Sequence, residues 1–324
     1  MATASYKGEP YRTLLYTPGP ITKFVHIEEE KRNAITGAFI LEFGDALHKF
    51  QRNPEANVGV FLSTGQTFCA GHNLEFVSKM EDWAHKTADD KKVPDTTKSP
   101  SSAEHPKVSQ HMATEADWRD QLDFMRDKLY YPLWDCHKPL IVGVQGGAYM
   151  GGIWFALMHD IVVMAEDAFF DWGQFHVSGG GADPFVAYFA GWRKAMEVSL
   201  TGWNIGADEA LQLGLVNKVV PKDRLEEEVM RYAKVINAMD PERVRIGKAF
   251  MKHAMNKMGM REAIFLLNEI DILKHMVRSD REDEFYRMVR TQGIRAAANF
   301  IQKPFEELGY SRYGPSAARQ KKKS

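Results

Sequence analysis

Short apolar runs, separated by polar or glycine-rich segments, dominate the first half of the chain. Four of them have the length and the content of branched residues that strands favour: residues 23–28, 58–63, 139–144 and 161–164. Between the last two runs lies a glycine-rich turn, followed by the apolar residues 153–158, which suit a buried helix. This repeated spacing of strand, strand and helix predicts an α/β layered core.

A helical repeat of apolar positions occurs once early in the chain and then throughout its second half. Phe39, Phe43, Leu47 and Phe50 fall on one face of a helix that Thr36 can cap. Further helical patterns cover residues 115–133, 207–213, 223–239, 241–258, 261–277 and 280–301. We therefore predict a core over residues 1–205 and a helical region over residues 206–324.

Residues 78–116 interrupt this alternation. They are polar, rich in Lys, Asp, Ser, Thr and Pro, and show no hydrophobic periodicity. Such a composition predicts a long surface insertion in the core that is partly disordered. A lid over a binding site is the alternative interpretation of the same segment.

Composition and charge exclude several classes of protein. The 324 residues are 44% hydrophobic and 26% charged, with a formal net charge of -1, so no basic field favours nucleic acid. With two cysteines and no nearby histidine cluster, neither a disulfide framework nor a zinc site is expected. No segment nears about 18 consecutive apolar residues, and the N-terminal residues do not resemble a signal peptide. We therefore expect a cytoplasmic protein that binds no metal and no membrane.

Two glycine-bearing turns are the strongest candidates for chemistry. One covers residues 65–74, after the second predicted strand, and the other covers residues 145–152, after the third. Both lie at the same end of neighbouring strands, where α/β sheets usually bind ligands. Glycine lets the backbone approach a ligand closely, and the second turn opens a helix whose free N–H groups favour negative charge. Two such donors aimed at one oxygen would form an oxyanion hole, although glycines alone also fit two tight turns.

Three sequence blocks in a fixed order carry a resemblance to a known family. Residues 68–74 (FCAGHNL) resemble the signature F-x-A-G-x-D-L. Residues 145–152 (QGGAYMGG), with the later His159-Asp160-Ile161, resemble N-G-x-A-x-G-G-G…D-I, and residues 200–220 resemble a third block of the same family. Outside the insertion, residues 23–304 thus resemble the crotonase, or enoyl-CoA hydratase/isomerase, superfamily.

The resemblance implies a fold, an assembly and a substrate. The fold would be a spiral of ββα repeats followed by C-terminal helices that drive formation of a homotrimer or homohexamer. The substrate would be an acyl-CoA thioester, so coenzyme A enters as part of the substrate and no separate cofactor is expected. The N–H groups of His72 and Gly151 would hold the thioester oxygen as the enolate forms, with Ala70, Gly71 and Gly152 beside it. One such donor typically contributes about 3 kcal/mol.

The chain departs from the family at the positions that carry acid–base chemistry. Counting without gaps from Asp160, the two glutamates of the hydratases fall at Trp154 and Gln174. Neither side chain can transfer a proton at neutral pH. The signature aspartate is Asn73, and Glu75 stands where a basic residue is common.

Asp183 is the leading candidate for the missing acid–base group. The resemblance puts it within one position of an aspartate that some relatives use, and proton transfer beside a carbonyl needs one such carboxylate near the α carbon. Because Asp183 precedes Pro184, it can also cap a helix, and the two roles are compatible. His176, which titrates near neutrality, and the side chain of His72 are further candidates. Gln174 could orient water or substrate without transferring protons.

Two tryptophans are candidates for the wall of the acyl pocket. Trp154 and Trp172 lie in an aromatic stretch of the sequence, which predicts an acyl group that is bulky or cyclic. Packing in the core is the alternative for both side chains.

Basic residues are the candidates for contact with the phosphates of coenzyme A. Lys31 and Arg32 occupy a segment that resembles the first coenzyme A loop of the family. Arg295 and Lys303 lie on late helices from which relatives often reach coenzyme A. All four could also be ordinary surface residues.

The leading interpretation is an acyl-CoA enzyme, a hydratase/lyase or an isomerase, whose intermediate is an enolate. One alternative is a hydrolase that cleaves a C–C bond of a cyclic β-dicarbonyl compound. Another is a non-catalytic binding protein that kept the fold. Gly71, Gly151 and Gly152 argue against the last interpretation, because a scaffold has no need of close backbone approach.

Overall fold

A six-stranded sheet forms the centre of the protein. The computed structural model describes residues 5–6, 9–72, 119, 122–178, 183–276, 279–311 and 314, and the predicted insertion at 78–116 lies outside them. The described strands are Ser5–Tyr6 (β1), Glu9–Pro10 (β2), Leu14–Thr17 (β3), Ile21–His26 (β4), Val58–Ser63 (β5), Leu140–Val144 (β6), Gly147–Tyr149 (β7), Ile161–Ala165 (β8), Phe169–Asp171 (β9), Ile205–Gly206 (β10) and Lys218–Val220 (β11). The central sheet has the order β11-β8-β6-β5-β4-β3, with only its edge pair β3–β4 antiparallel. All four strands predicted from the sequence are confirmed, with ends that shift by at most two residues.

A smaller sheet of order β10-β9-β7 packs beside the central one and is not predicted by the sequence patterns. Strand β7 follows β6 almost directly and pairs in parallel with β9, so that Tyr149 lies opposite Asp171. An isolated bridge between Cys69 and Ala148 ties the segment after β5 to β7. This small sheet therefore holds together the segments that follow two neighbouring strands of the central sheet.

Helices cover the sheets and make up most of the second half. Their bounds are Gly37–Arg52 (α1), Tyr131–Trp134 (α2), Gly151–Leu157 (α3), Phe175–Ser178 (α4), Pro184–Ala190 (α5), Trp192–Thr201 (α6), Ala207–Gln212 (α7), Leu225–Asn237 (α8), Pro241–Lys257 (α9), Met260–Met276 (α10), Asp280–Gln292 (α11) and Ile294–Glu307 (α12). The prediction of one helix over residues 280–301 is wrong, because Gly293 adopts a φ of 86° and separates α11 from α12. Among the described helices, none is long and apolar enough to cross a membrane.

The second half also contributes to the central core. Strand β11 extends the six-stranded sheet beside β8. Helix α8 buries Leu225, Val229 and Ala233 on the same core. The glycine at position 143 of β6 makes this close packing possible, because a methyl group there would lie 3.1 Å from Val229. The first half and the beginning of the helical half therefore share one hydrophobic core.

An aromatic cluster joins the first helix to the helix that begins at Gly151. The ring centroid of Phe43 on α1 lies 5.1 Å from that of Phe155 on α3. It lies 5.6 Å from that of Phe24 and 5.7 Å from that of Phe61. Burial of each such side chain contributes about 1.5–3 kcal/mol. The predicted cap of α1 is confirmed: the Phe39 N–H donates to the hydroxyl of Thr36 at 3.1 Å. This packing fixes the position of α3 and of the residues at its start.

Truncation of Phe43 tests this arrangement. The variant Phe43→Ala should lower the free energy of unfolding by about 3–5 kcal/mol, because it leaves a cavity between α1, α3 and the sheet. Leu308→Ala is the matched control, since that side chain is 74% exposed and its loss should cost no more than about 0.5 kcal/mol. Urea unfolding measures both values, and equal losses would contradict the assignment of the core.

Candidate active site

The two glycine turns contact each other directly. The N–H of Tyr149 donates to the carbonyl of Cys69 at 3.0 Å, and the N–H of Phe68 donates to the carbonyl of Gly147 at 3.1 Å. At Gly71, where φ is 81°, an added methyl group would lie 2.8 Å from the Tyr149 carbonyl oxygen and 3.8 Å from the Gly151 nitrogen. Only glycine fits a positive φ at such a close approach.

Gly151 begins α3 and presents its N–H at the junction of the turns. No described backbone carbonyl accepts a hydrogen bond from this N–H, as is normal for the first turn of a helix. The preceding residue, Met150, has φ 40° and ψ -107°, a conformation that is rare for a residue with a side chain. Such strain persists where the surrounding structure imposes it, and it is common at functional sites. The strained Met150 sets the direction of the Gly151 N–H.

The imidazole of His72 packs over Gly151 together with Tyr130. His72 Nε2 lies 2.6 Å from the Tyr130 hydroxyl oxygen, which in turn lies 3.4 Å from the Gly151 carbonyl oxygen. Burial raises the pKa of the Tyr130 phenol well above its usual value, so the hydroxyl keeps its proton. Tyr130 ends a π-helical turn, Arg126–Tyr130, which no sequence pattern indicated. These contacts hold the backbone of His72 against the start of α3.

Two cavities meet at His72. The smaller, of about 20 Å³, is mainly apolar. Its lining comprises His72, Leu122, Met125, Arg126, Tyr130, Trp154, Met158, Ile264, Leu267 and Asp271. The larger, of about 250 Å³, runs along both glycine turns and under α11 and α12. Its lining comprises Ala70, His72, Tyr149, Met150, Asp171, Gly173, Gln174, Val177, Glu282, Phe285, Ile294, Ala298, Ile301 and Gln302. Two of the residues predicted to surround a thioester, Ala70 and His72, therefore border a cavity of suitable size for part of a ligand, whereas Gly71, Gly151 and Gly152 are not among its lining residues.

Asp183 caps α5 and lies between two indole rings. Its Oδ1 accepts from the N–H groups of Phe185 and Val186 at 3.0 and 3.2 Å, and its Oδ2 accepts from Trp172 Nε1 at 2.8 Å. Burial raises the pKa of the carboxyl to about 6. The three hydrogen-bond donors lower the pKa and partly offset this rise, and the Trp154 indole contributes weakly in the same direction. Trp154 Nε1 is buried and makes no hydrogen bond of good geometry to any described acceptor. Asp183 is not among the residues that line either cavity, and its role as a base stays a prediction.

Two of the other predicted side chains line a cavity, and two lie outside the cavity linings. Gln174 and Trp154 line the larger and the smaller cavity respectively. Trp172 is fully buried behind them. His176 lies outside both linings: its Nε2 donates to the Thr201 carbonyl at 2.7 Å, and its ring stacks on that of Phe305 with centroids 3.7 Å apart. The histidine thus anchors α12 to the body of the protein.

Asp171 is a cavity residue that the sequence analysis missed. It is 2% exposed and lines the larger cavity beside Met150, whose N–H donates to the Asp171 carbonyl at 3.3 Å. Its carboxyl accepts from the Tyr310 hydroxyl at 2.8 Å and from the Gly173 N–H at 2.6 Å. Burial raises its pKa to about 6. The sequence signal that could have indicated Asp171 is that it is the one acidic residue within the apolar run 168–172.

The loop before α1 supports the first glycine turn. The carbonyl of Arg32 accepts from the Ala70 N–H at 3.0 Å, and that of Gly71 accepts from the Ile35 N–H at 2.8 Å. Lys31 pairs with Glu28 at 2.6 Å, whereas the Arg32 side chain is exposed and lies over the Tyr149 ring. Arg295 and Lys303 are also exposed, and Asn73 and Glu75 lie outside the described residues. Arg32 is thus the predicted phosphate contact that stands nearest to the turns.

Comparison with known proteins identifies the family. Residues 107–289 match the enoyl-CoA hydratase/isomerase family. A Thermus thermophilus protein assigned as an enoyl-CoA hydratase is 25% identical over 241 residues, which are 74% of this chain and 83% of that protein. The peroxisomal Delta(3,5)-Delta(2,4)-dienoyl-CoA isomerase of Arabidopsis thaliana is 27% identical over 223 residues, 68% of this chain and 72% of the isomerase. The crystal structure of an enoyl-CoA hydratase/isomerase from Xanthobacter autotrophicus Py2 matches with a TM-score of 0.76 at 25% identity, over 91% of this chain and 98% of that one.

Fold and site define an α/β protein with two glycine turns joined beside a buried cavity. Since the family match covers more than half of the sequence, the chain belongs to the enoyl-CoA hydratase/isomerase family. The crotonase-type fold predicted from three sequence blocks is thereby confirmed.

A methyl group at Gly151 should disable the junction of the turns. In Gly151→Ala the new Cβ would lie 2.7 Å from His72 Nε2 and 2.8 Å from the Tyr130 hydroxyl, so these side chains or the Gly151 backbone must move. If the Gly151 N–H is the oxyanion donor that the sequence predicts, its displacement should lower kcat by roughly 10²–10³-fold on any acyl-CoA that the wild type converts. Gly19→Ala, in the turn between β3 and β4, is the control, because the nearest described atom to its added methyl group is the Ile21 carbonyl oxygen at 3.7 Å, an ordinary contact distance. Turnover of the Gly151 variant at the wild-type rate would refute the role of this donor.

Proposed function

We propose that this protein binds an acyl-CoA thioester and stabilises its enolate between the N–H groups of His72 and Gly151. The observation that carries the proposal is the direct contact of the two glycine turns at the wall of the larger cavity. A thioester oxygen between the two donors would receive two hydrogen bonds. Such donors act most strongly where negative charge develops, and each typically contributes about 3 kcal/mol.

The reaction that this site supports best is migration of a double bond in the acyl chain. By the gapless count from Asp160, the hydratase glutamates fall at Trp154 and Gln174, and neither of these side chains can activate water by taking its proton. Double-bond migration requires only that one carbon lose a proton and another gain one. Asp183 is the proposed carboxyl for one of these transfers, since its pKa of about 6 leaves both protonation states accessible near neutral pH. A dienoyl-CoA isomerase among the relatives agrees with this choice.

The acyl group is proposed to be bulky or cyclic. Trp154 closes the smaller cavity, and its ring lies edge-on to those of His72 and Tyr130, with centroids 6.0 Å apart in both cases. Aromatic edges of this kind pack well against flat or cyclic groups. Because the smaller cavity holds only about 20 Å³, such a group would lie in the larger cavity of about 250 Å³, with the His72 ring at its border.

Self-association through α9 and α10 is part of the same proposal. Helix α9 runs over 17 residues and has no buried residue among them. Ile246, Phe250 and Met251 on α9, and Leu266 and Leu273 on α10, are all more than half exposed. An apolar surface of this extent normally lies against a partner. We propose that the partner is a second copy of the chain, in a homotrimer or homohexamer.

Titration with acyl-CoAs tests the substrate and the reaction. Calorimetry with free CoA and straight-chain, cyclic and aromatic acyl-CoAs should show binding of unsaturated cyclic thioesters. Mass spectrometry and chromatography of the mixtures should show a new isomer of equal mass. A gain of one water would instead identify hydration or hydrolysis, including cleavage of a β-dicarbonyl. Absence of binding to every CoA compound would contradict the proposal as a whole.

The variant Asp183→Asn tests proton transfer without removing the helix cap. Asparagine caps helices about as well as aspartate, so α5 should persist with the amide oxygen as its cap, while the amide NH₂ faces Trp172 Nε1 and that hydrogen bond is lost. Unfolding in urea measures the stability cost of this loss separately from turnover. Turnover should nevertheless fall roughly 10²–10⁴-fold, because the amide cannot exchange a proton. Asp167→Asn is the matched control, since that exposed side chain pairs with Lys222 away from the cavities. Steady-state kinetics distinguish the two, and an unimpaired Asp183 variant would exclude it as an acid or base.

A charge on α9 tests self-association. Phe250→Glu should weaken assembly by about tenfold or more, because a charge at a buried contact costs free energy when it has no partner. Leu308→Glu, at an equally exposed leucine outside α9 and α10, should leave the assembly unchanged. Sedimentation velocity measures both species distributions. A wild-type chain that stays monomeric at micromolar concentration would contradict the proposed interface.

A further inference from the structure

We propose that Asp171 takes the α proton of the bound thioester. This inference rests on the proposed function and adds a second acid–base carboxyl to it. It assigns the removal of the α proton to the larger cavity, and it leaves the transfer at the distal carbon of the acyl chain to Asp183. The two carboxyls would together replace the missing glutamate pair.

The position of Asp171 relative to the glycine turns is the first argument. Strand pairing places Asp171 opposite Tyr149, two residues before Gly151, and the Asp171 carbonyl accepts from the Met150 N–H. Asp171 lines the same cavity as His72 and Met150. A thioester whose oxygen lies at the donors has its α carbon two bonds from that oxygen, which would place the α carbon beside this cavity wall.

The different surroundings of the two carboxyls are the second argument. Asp171 ends β9 and lines the larger cavity beside the turns. The next residue, Trp172, packs against Phe170 with ring centroids 6.3 Å apart, and its indole donates to Asp183. Asp183 lies at the start of α5 and lines neither cavity. Asp171 is therefore the carboxyl that shares a cavity wall with the turns, and the more distant γ carbon is left to Asp183.

The chemical state of Asp171 is the third argument. Burial raises its pKa to about 6, and the Tyr310 hydroxyl and the Gly173 N–H partly oppose this by donating to the carboxylate. The side chain of Asn204 also lowers the pKa of this carboxyl. The other titratable groups near this carboxyl are Glu282, which lines the same cavity, and His176, whose ring lies edge-on to Tyr310. A base with this pKa is ionised at neutral pH and still holds a proton briefly after it takes one.

The proposed step balances in atoms and charge. The Asp171 carboxylate removes the proton from the α carbon of a β,γ-unsaturated thioester, and the C–H electron pair moves into the enolate. The negative charge reaches the thioester oxygen, where the N–H groups of His72 and Gly151 stabilise it. Protonated Asp183 then delivers a proton to the γ carbon, which completes the shift of the double bond. Exchange with solvent returns both carboxyls to their starting states.

Exchange of the α proton in D₂O tests the assignment. Wild-type protein with cyclohexenylacetyl-CoA, or with a straight-chain β,γ-unsaturated acyl-CoA, should incorporate deuterium at the α carbon, as measured by NMR. Asp171→Asn should slow this exchange at least 10²-fold while calorimetry still shows thioester binding. Asp183→Asn should retain the exchange and lose isomerisation. Asp167→Asn should match the wild type in both reactions.

A pH profile separates catalysis from a purely structural role of Asp171. Because the carboxylate is the active form, wild-type exchange should rise with pH through about 6 and then level off. Tyr310→Phe removes a donor that favours the charged carboxylate, so the rising limb should move to higher pH while the plateau persists. A structural contact alone would lower the plateau and leave the limb in place.

Distinct results separate failure of this inference from failure of the proposed function. If the wild type binds the thioesters and Asp171→Asn exchanges at the wild-type rate, Asp171 is not the base and the proposed function stands. Loss of exchange in Asp183→Asn alone would overturn the assignment in the same way. If no thioester binds or exchanges in the wild type, the proposed function fails and this inference fails with it.

Discussion

The close approach of two backbone turns is the constraint on which the rest of the structure depends. The segments after β5 and β6 meet where Gly71 has a positive φ and where a methyl group on Gly151 would strike His72 and Tyr130. A side chain at Gly71 would press on the backbone of Tyr149 and force the turns apart, and one at Gly151 would displace the His72 and Tyr130 side chains. The small sheet, the strained Met150 and the aromatic cluster beneath α3 all act to keep the turns in contact.

Buried polar groups around this junction have two roles: some attach elements to one another, and two are carboxyls with raised pKa values. His176, Tyr310 and Gln302 attach the last helices to the turn after β9, while Tyr130 holds His72. Asp171 and Asp183 are buried carboxyls whose pKa values burial raises to about 6. Each keeps hydrogen-bond donors that limit this rise. Groups of this kind can gain and lose protons near neutral pH without a metal or a histidine.

Much of the fold could be predicted from the sequence because periodicity reports burial. Apolar patterns in the sequence predicted the four long strands, α1 with its Thr36 cap and most of the C-terminal helices. Short elements such as Phe169–Asp171 carry too few residues for a period, so the small sheet was missed. Gly293 broke a helix whose apolar pattern runs on through it. The glycine turns could be predicted because glycine marks backbone geometry directly, whereas the contacts of Asp171 with Tyr310 join residues 139 positions apart.

Infrared spectroscopy of the thioester C=O bond tests most directly whether two backbone N–H groups polarise that carbonyl. An unsaturated acyl-CoA labelled with ¹³C at the thioester carbonyl would be bound to the wild type and to Gly151→Ala, and the labelled C=O stretch would be compared with that in water. Two strong donors weaken the C=O bond, so the stretch should shift to lower frequency in the wild type and return toward the solution value in the variant. An unshifted stretch for fully bound ligand in the wild type would contradict the account.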